Sequence, residues 1–468
     1  MHGWTPVTAP GPSGGDMLRA FGQIRRDALG FLADSWHAHG DVVQFPIPAP
    51  PTYLVTHPDG VRHVLQANHR GYGKDTIQYR NLALVTGNGL LAADTEPWRR
   101  QRKAVQPAFR SSALTEVAEH TAVAARRLTD RWRTLPGGTI VDVEHDMMTC
   151  ALEIVGAVLF GSDWQAEAGD LVAATQEGLR AVVARTRNPL ALPLGVPTPG
   201  NRRLRAAVAR LDRQVAHVVA ARRADVRADR RPDMLDVLLA GDLSPREVRD
   251  QIVTFIVAGH ETVASALTWC WYLLGEHPAA ADGVAAEANA GLDVEQLPWA
   301  TAVFDEALRL YPPGWLITRQ ALADDEVCGH RIPAGALVLI SPYLVHRHPA
   351  SVPASWGDWP GGDDPEDFDP ARFQAHPPST IAGNYIPFGA GPRLCIGREM
   401  ARVEGAVVLA ALAREFRLER VAGRPVGRNP MVMLKPRPDL RMRLRQRAAD
   451  DTDGTRRTES PWEDGARA

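Results

Sequence analysis

Apolar residues recur at helical spacing over most of this chain. Leu18, Phe21, Ile24, Ala28, Phe31 and Leu32 predict one helix over 17–39, stopped by Gly40. Two short extended pieces, 42–47 and 52–56, flank a proline run and predict a hairpin, after which Pro58 opens a helix to about residue 66. Periodicity is weak over 68–96, which reads as a long, partly ordered loop. Helical patterns resume over 97–107, 111–134, 142–160, 166–186 and 201–230. A proline-rich break at 188–200 suits either a lid or a plain connector. Ser244, Pro245 and Glu247 form a capping-box start for a long helix that Pro278 ends near residue 276. Helices over 279–290 and 295–310 follow. Strand-like pieces then alternate with Pro and Gly over 311–340, 350–380 is rich in Pro, Gly and Asp, 398–416 reads as helix, and 416–445 returns to strands. The predicted fold is mainly α, in the α+β sense: one unit over 17–445 with small peripheral sheets. A flexible leader (1–16) and a polar, disordered tail (446–468) are expected to flank it.

Composition narrows the partners. A net charge of −2 over 468 residues gives no global pull toward nucleic acid or an anionic membrane. Cys150, Cys270, Cys328 and Cys395 are widely spaced and follow no zinc pattern, which fits a reducing, cytoplasmic interior. The first residues carry no basic cluster and no apolar core, so neither a signal peptide nor a membrane anchor is expected. Residues 252–274 are apolar and long enough to span a bilayer, but His260, Glu261 and Thr262 near the middle favour a helix threading a protein core.

Chemistry concentrates in 388–405, FGAGPRLCIGREMARVEG. Glycines at 389, 391 and 397 permit tight turns and close approach, and Cys395 lies just before a helix, where free N–H groups and the dipole stabilise a negative sulfur. Taken alone this is a thiolate nest or a buried, inert cysteine. Glu306 and Arg309 share a helix face, as an ordinary salt bridge would. In AGHET (258–262), Thr262 can turn its hydroxyl back on Ala258, and Gly259 removes a side chain at the same turn. Together these predict a local groove with Glu261 beside it. Trp98 and Arg102 share a face, and Arg99, Arg100 and Lys103 form a basic one. His346 and His348 read as loop residues, and no G-x-G-x-x-G follows a strand, so no built-in nicotinamide or flavin domain is expected.

The ordered run Phe388, Gly391, Arg393, Cys395 and Gly397 resembles the haem-binding loop of the cytochrome P-450 family, the haem-thiolate monooxygenases, and fills its F-x-x-G-x-R-x-C-x-G signature. The other motifs follow in the family's order, from about the first helix to residue 445. Glu306 and Arg309 match its E-x-x-R, with Arg372 as third partner; Ala371 replaces a common Glu beside it. Residues 258–262 match A-G-x-[DE]-T, and Trp98 and Arg102 match W-x-x-x-R. The resemblance implies a single mostly helical prism, haem b with Cys395 on the iron, and propionates bound by Trp98, Arg102, Arg319 and Arg393. Phe388, Gly389, Gly397 and Ala258 would also line the haem. Glu261 and Thr262 would be the acid–alcohol pair, and Glu306, Arg309 and Arg372 a structural triad. The expected reaction puts one oxygen of O2 into an apolar small molecule, in bacterial secondary metabolism such as terpenoid, fatty-acyl or polyketide tailoring. Electrons would come from NAD(P)H through a separate ferredoxin or flavodoxin type donor docked on the basic face, and the enzyme is expected to be a monomer. Ile77, Leu90, Leu91, Ala258, Val263, Trp315, Leu316, Ile317 and Val432 are the expected substrate contacts. A peroxide-driven hydroxylase or haem-thiolate isomerase is the alternative on this fold, and a non-catalytic haem or gas-binding protein the alternative outside it.

Overall fold

Ser244 starts the helix on which the rest is assembled. Its hydroxyl accepts from the Glu247 N–H at 3.3 Å while the Glu247 carboxylate accepts from the Ser244 N–H at 3.0 Å, and Pro245 supplies a preset first turn. The helix, Pro245–Glu276, is long and apolar enough to cross a membrane, but 78% of its apolar window is buried within the protein. It is the core helix the polar residues at its middle predicted. The computed structural model describes residues 8–47, 49–161, 165–186, 192–225, 232–351, 364–375 and 384–447.

Around the long helix pack Val143–Phe160, the helix after the cysteine (Arg398–Ala413) and the Glu306 helix (Pro298–Leu310). Arg398–Ala413 also lies against Ser112–Arg133. Gly405 permits one of these contacts, since a Cβ there would fall 2.3 Å from the Phe304 ring. Above the long helix two packed helices, Gln165–Thr186 and Pro199–Ala224, form a roof, and Ile77–Thr86 forms a wall beside them.

The sheets are peripheral. In the largest, Val42–Phe45 pairs antiparallel with Thr52–Val55, giving the expected hairpin. Thr52–Val55 runs parallel to Leu337–Ile340, which pairs antiparallel with Ile317–Ala321, and Tyr72–Gly73 completes the edge. A three-stranded sheet joins Ile140–Asp142, Arg441–Gln446 and Phe416–Arg420, and Asp325–Val327 with His330–Ile332 and Gly427–Pro430 with Leu434–Arg437 form two hairpins.

Several expectations change. The first helix is two, Gly14–Arg26 and Ala28–His39, because Asp27 leaves helical geometry and caps the second through the Gly30 N–H. Residues 8–16 are not a flexible leader. The Thr8 N–H donates to Gln44 Oε1 at 2.7 Å, Pro10 accepts from the Gln44 N–H, and Ser13 caps the first helix. The stretch 68–96 contains Ile77–Thr86, which the sequence hides because few of its residues are buried. Met234–Ala240 is a helix the sequence reading lacked. The tail beyond 447, residues 187–191 of the proline-rich break, and 352–363 and 376–383 lie outside the described residues.

Candidate active site around Cys395

The cysteine loop is closed by its own backbone. The Cys395 N–H donates to Phe388 O at 2.9 Å and the Leu394 N–H to Gly391 O at 3.0 Å. Gly389 (φ +73°) and Gly391 (φ +69°) take conformations that other residues rarely adopt. Gly391 also has no room for a side chain, since a Cβ would lie 2.0 Å from the Leu65 carbonyl oxygen. Gly397 then caps Arg398–Ala413.

Cys395 has accessible surface although dense protein surrounds it, as expected of a side chain facing an internal hollow. Burial raises its thiol pKa above the ordinary value, while the Gly397 N–H, Arg102 and Arg398 pull it down. In the free thiol, desolvation outweighs the Gly397 N–H and the two arginines. A metal cation on the sulfur would supply the opposing charge.

Beside the loop the chain gathers cations. Arg102 donates to Leu394 O at 3.1 Å; burial lowers its pKa and Cys395 opposes that. Arg393 donates to Ala93 O and Asp94 Oδ1 at 2.6 and 2.7 Å and lies over the Trp98 ring, 4.3 Å from its centroid. Burial, with Arg319 and Arg99 adding to it against Asp94, brings Arg393 down to about 10. Arg319 is buried on Ile317–Ala321. Lys74, which lies in the stretch 68–96 and was not among the expected site residues, joins them: Nζ donates to Leu91 O at 2.7 Å. Burial first, then Arg319 and Arg393, hold its pKa well below the ordinary value. Four cations facing chiefly one carboxylate suit a ligand with two acid groups of its own, as haem has. With an accessible sulfur in a glycine-lined loop, the residues present fit a haem. Lys74 was missed because the weak periodicity of 68–96 concealed the Tyr72–Gly73 strand that leads into it.

The triad forms as expected. Arg309 donates to both Glu306 oxygens at 2.6 and 2.7 Å, Arg372 Nε to Glu306 Oε1 at 3.3 Å, and the Asp369 N–H to the same oxygen at 2.9 Å. Burial works against the Arg309 charge, but Glu306 outweighs it and raises its pKa. His346 and His348 lie in a turn, as expected, but they are buried links within it. His346 Nδ1 donates to Arg309 O at 2.9 Å while Nε2 accepts the Ile386 N–H at 2.8 Å, tying the triad helix to the cysteine loop. Both partners require neutral imidazole, and burial brings its pKa to about 3. His348 bridges Asp41 and the Ala350 N–H.

On the long helix the Thr262 hydroxyl donates to Ala258 O at 2.5 Å, the expected back-bond. Gly259 does something else. A Cβ there would meet Val155 at 2.9 Å, so the glycine serves close packing against Val143–Phe160 and does not open the groove. Next to it His260 donates to Met148 O at 3.0 Å, pinning the same two helices. The expected substrate contacts divide. Ile317 reaches the cysteine loop, its Cδ1 4.0 Å from where a Gly389 Cβ would sit. Trp315 and Leu316 instead pack into a cluster with Leu29, Phe31 and Trp36. Val263 and Leu90 are buried in the main core, Leu91 is half-buried, and Ile77 is exposed. Val432 sits at a hairpin tip that the long helix anchors, since Ser265 and Trp269 both donate to Leu434 O.

Comparison with known proteins agrees with this geometry. The family model described as Cytochrome P450 matches residues 10–441. The chain is 35% identical to cyclooctatin synthase of Streptomyces melanosporofaciens, over 94% of this chain and 95% of that one. It is 30% identical to pentalenene oxygenase of Streptomyces avermitilis, over 89% and 92%. Among solved structures, CYP175A1 from Thermus thermophilus superposes with a TM-score of 0.75 at 32% identity, covering 93% of this chain and 99% of that one. The chain belongs to the cytochrome P450 family. It is a haem-thiolate monooxygenase of secondary metabolism, an oxidoreductase that uses haem and O2.

Proposed function

We propose that the substrate is a terpenoid, a polycyclic hydrocarbon or its alcohol, and that the protein hydroxylates it at an unactivated carbon in the cytoplasm. The relatives named for cyclooctatin, cyclooctat-9-en-7-ol and pentalenene support this choice over fatty-acyl and polyketide substrates. Cys395 would hold the haem iron through its sulfur. Arg102, Arg319, Arg393 and Lys74 would hold the two propionates, with Trp98 stacked against Arg393. Phe388, Gly389, Gly397 and Ala258 would line the ring. A thiolate-ligated haem, when bound, activates O2 so that one oxygen atom enters a C–H bond.

Thr262 and Glu261 carry the proton work. In the resting helix the Thr262 hydroxyl donates a hydrogen bond to Ala258 O, and its release from that carbonyl would free it to donate into the oxygen site. Glu261, half-exposed on the same helix, exchanges protons with water and resupplies the hydroxyl. Glu306, Arg309 and Arg372 touch neither substrate nor oxygen; they hold the cysteine loop in place. Electrons come from NAD(P)H through a ferredoxin or flavodoxin type protein that docks near Arg99, Arg100 and Lys103, and the enzyme works as a monomer with residues 17–445 as its catalytic unit.

The accessible sulfur beside a cluster of buried and half-buried cations carries this reading. Its test is turnover with surrogate ferredoxin, ferredoxin reductase and NADPH across a panel of cyclic terpenes, fatty acids and macrolides. A type-I spectral shift and a hydroxylated product are expected with a terpene. Shifts confined to fatty acids or macrolides would overturn the substrate class. In the same assay Thr262→Ala is expected to keep consuming NADPH while product per NADPH falls about tenfold or more. Unchanged coupling would remove Thr262 from proton delivery.

A further inference from the structure

Arg249 joins three elements. It lies on the long helix thirteen residues before Thr262, and its side chain is 8% exposed. Nε donates to Asp212 Oδ1 of the roof helix Pro199–Ala224 at 2.7 Å. Nη1 donates to Val85 O, near the end of the wall helix Ile77–Thr86, at 2.8 Å, and to Asp250 Oδ1 at 3.1 Å. Val85 O is among the last carbonyls of its helix, which have no partner within it, so a cation there completes the end of the wall.

The loop beyond the wall is fastened to the same stretch of helix. The Asn88 N–H donates to Asp250 Oδ2 at 2.9 Å, the Leu90 N–H to Gln251 Oε1 at 3.1 Å, and Gln101 Nε2 to Asn88 O at 2.9 Å. The loop lies flush on the helix, because a Cβ at Gly89 would fall 2.6 Å from Asp250 O. Leu91, two residues further on, holds Lys74, so the loop leads directly to the cation ring beside Cys395. The wall is therefore tied to the long helix by several bonds, whereas the roof joins this network through Asp212, whose side chain is 41% exposed.

We infer that Arg249 is a positioning residue that couples the roof helix to the wall of the pocket, and that release of Asp212 from it opens the way in for substrate. The guanidinium fork serves roof and wall with separate nitrogens, so motion of one is felt by the other. When Asp212 leaves, the Arg249 fork loses the bond that fixes it on the roof side and its hold on Val85 O loosens, while the ladder of the long helix retains its shape. The inference rests on the proposed function, with substrate reaching Cys395 between these elements.

The haem-loaded Asp212→Asn variant separates the coupling from the pocket reading. Hydrogen exchange is expected to quicken about two- to fivefold in peptides covering both 199–224 and 77–92, with peptides from 398–413 unchanged. Binding of 4-phenylimidazole to the haem, followed by stopped flow, is expected to quicken by a similar factor. Arg249→Lys, which keeps the charge and loses the fork, should reproduce both effects. Faster exchange in the roof alone, or in neither segment, would overturn the coupling whatever the substrate proves to be. Faster exchange in both segments with an unchanged 4-phenylimidazole rate would overturn the entry role and the pocket placement it rests on.

Discussion

Glu306→Ala is expected to cost about 3–5 kcal/mol of folding stability, because it leaves two buried guanidinium groups without their carboxylate. Arg309 and Arg372 are each 3% exposed along the side chain, and Glu306 is fully buried between them. The loss should spread to the cysteine loop, since Arg309 O holds His346 and His346 holds the Ile386 N–H. Chemical denaturation should show the lowered midpoint, and the purified variant should carry little haem. Glu306→Gln, which keeps the shape and one acceptor, is expected to lose less. A variant as stable as the parent would mean that the triad is not what holds the loop.

Glu404 gives the other large effect, with opposite sign. It lies buried on the helix after Cys395, one carboxylate oxygen has no partner among the described residues, and burial pushes its pKa up to about 8. The folded protein therefore keeps a proton that the unfolded chain releases near its ordinary value of 4.5. The folded state binds more protons across that window, so stability falls as pH rises from about 4.5 to about 8 and then levels off. Glu404→Gln removes the dependence and is expected to add about 2–3 kcal/mol at pH 7, less what the buried amide costs. Thermal unfolding from pH 5 to 8.5 should show a falling midpoint in the parent and a flatter one in the variant. Parallel curves would exclude Glu404 as a buried neutral acid.

The sequence revealed those parts whose causes are local. The capping box at Ser244, the stop at Pro278 and the helix after Gly397 follow from neighbouring residues, and each element begins or ends where its signals stand. The loop signature around Cys395 and the E-x-x-R pair were legible as ordered motifs. Contacts distant in sequence hid the rest. Lys74 joins Arg319 and Arg393 only after the Tyr72–Gly73 strand pairs with Ile317–Ala321. Gly259 looked like part of a groove because Val155, the side chain it accommodates, is more than a hundred residues away. His346 and His348 were legible as loop residues but not as links, because their partners are the Arg309 carbonyl, Ile386, Asp41 and Ala350. The burial that opposes ionisation of the free Cys395 thiol is likewise reported by no local pattern.

The haem-thiolate assignment stands or falls on the sulfur of Cys395. The direct measurement is the absorption spectrum of the reduced carbon monoxide complex, recorded for the haem-loaded parent and for Cys395→His, which can still ligate iron through imidazole. The parent should give the strongly red-shifted Soret band of thiolate ligation, and the variant should bind haem yet give the band of a histidine-ligated one. A variant that keeps the red-shifted band would show that another residue holds the iron.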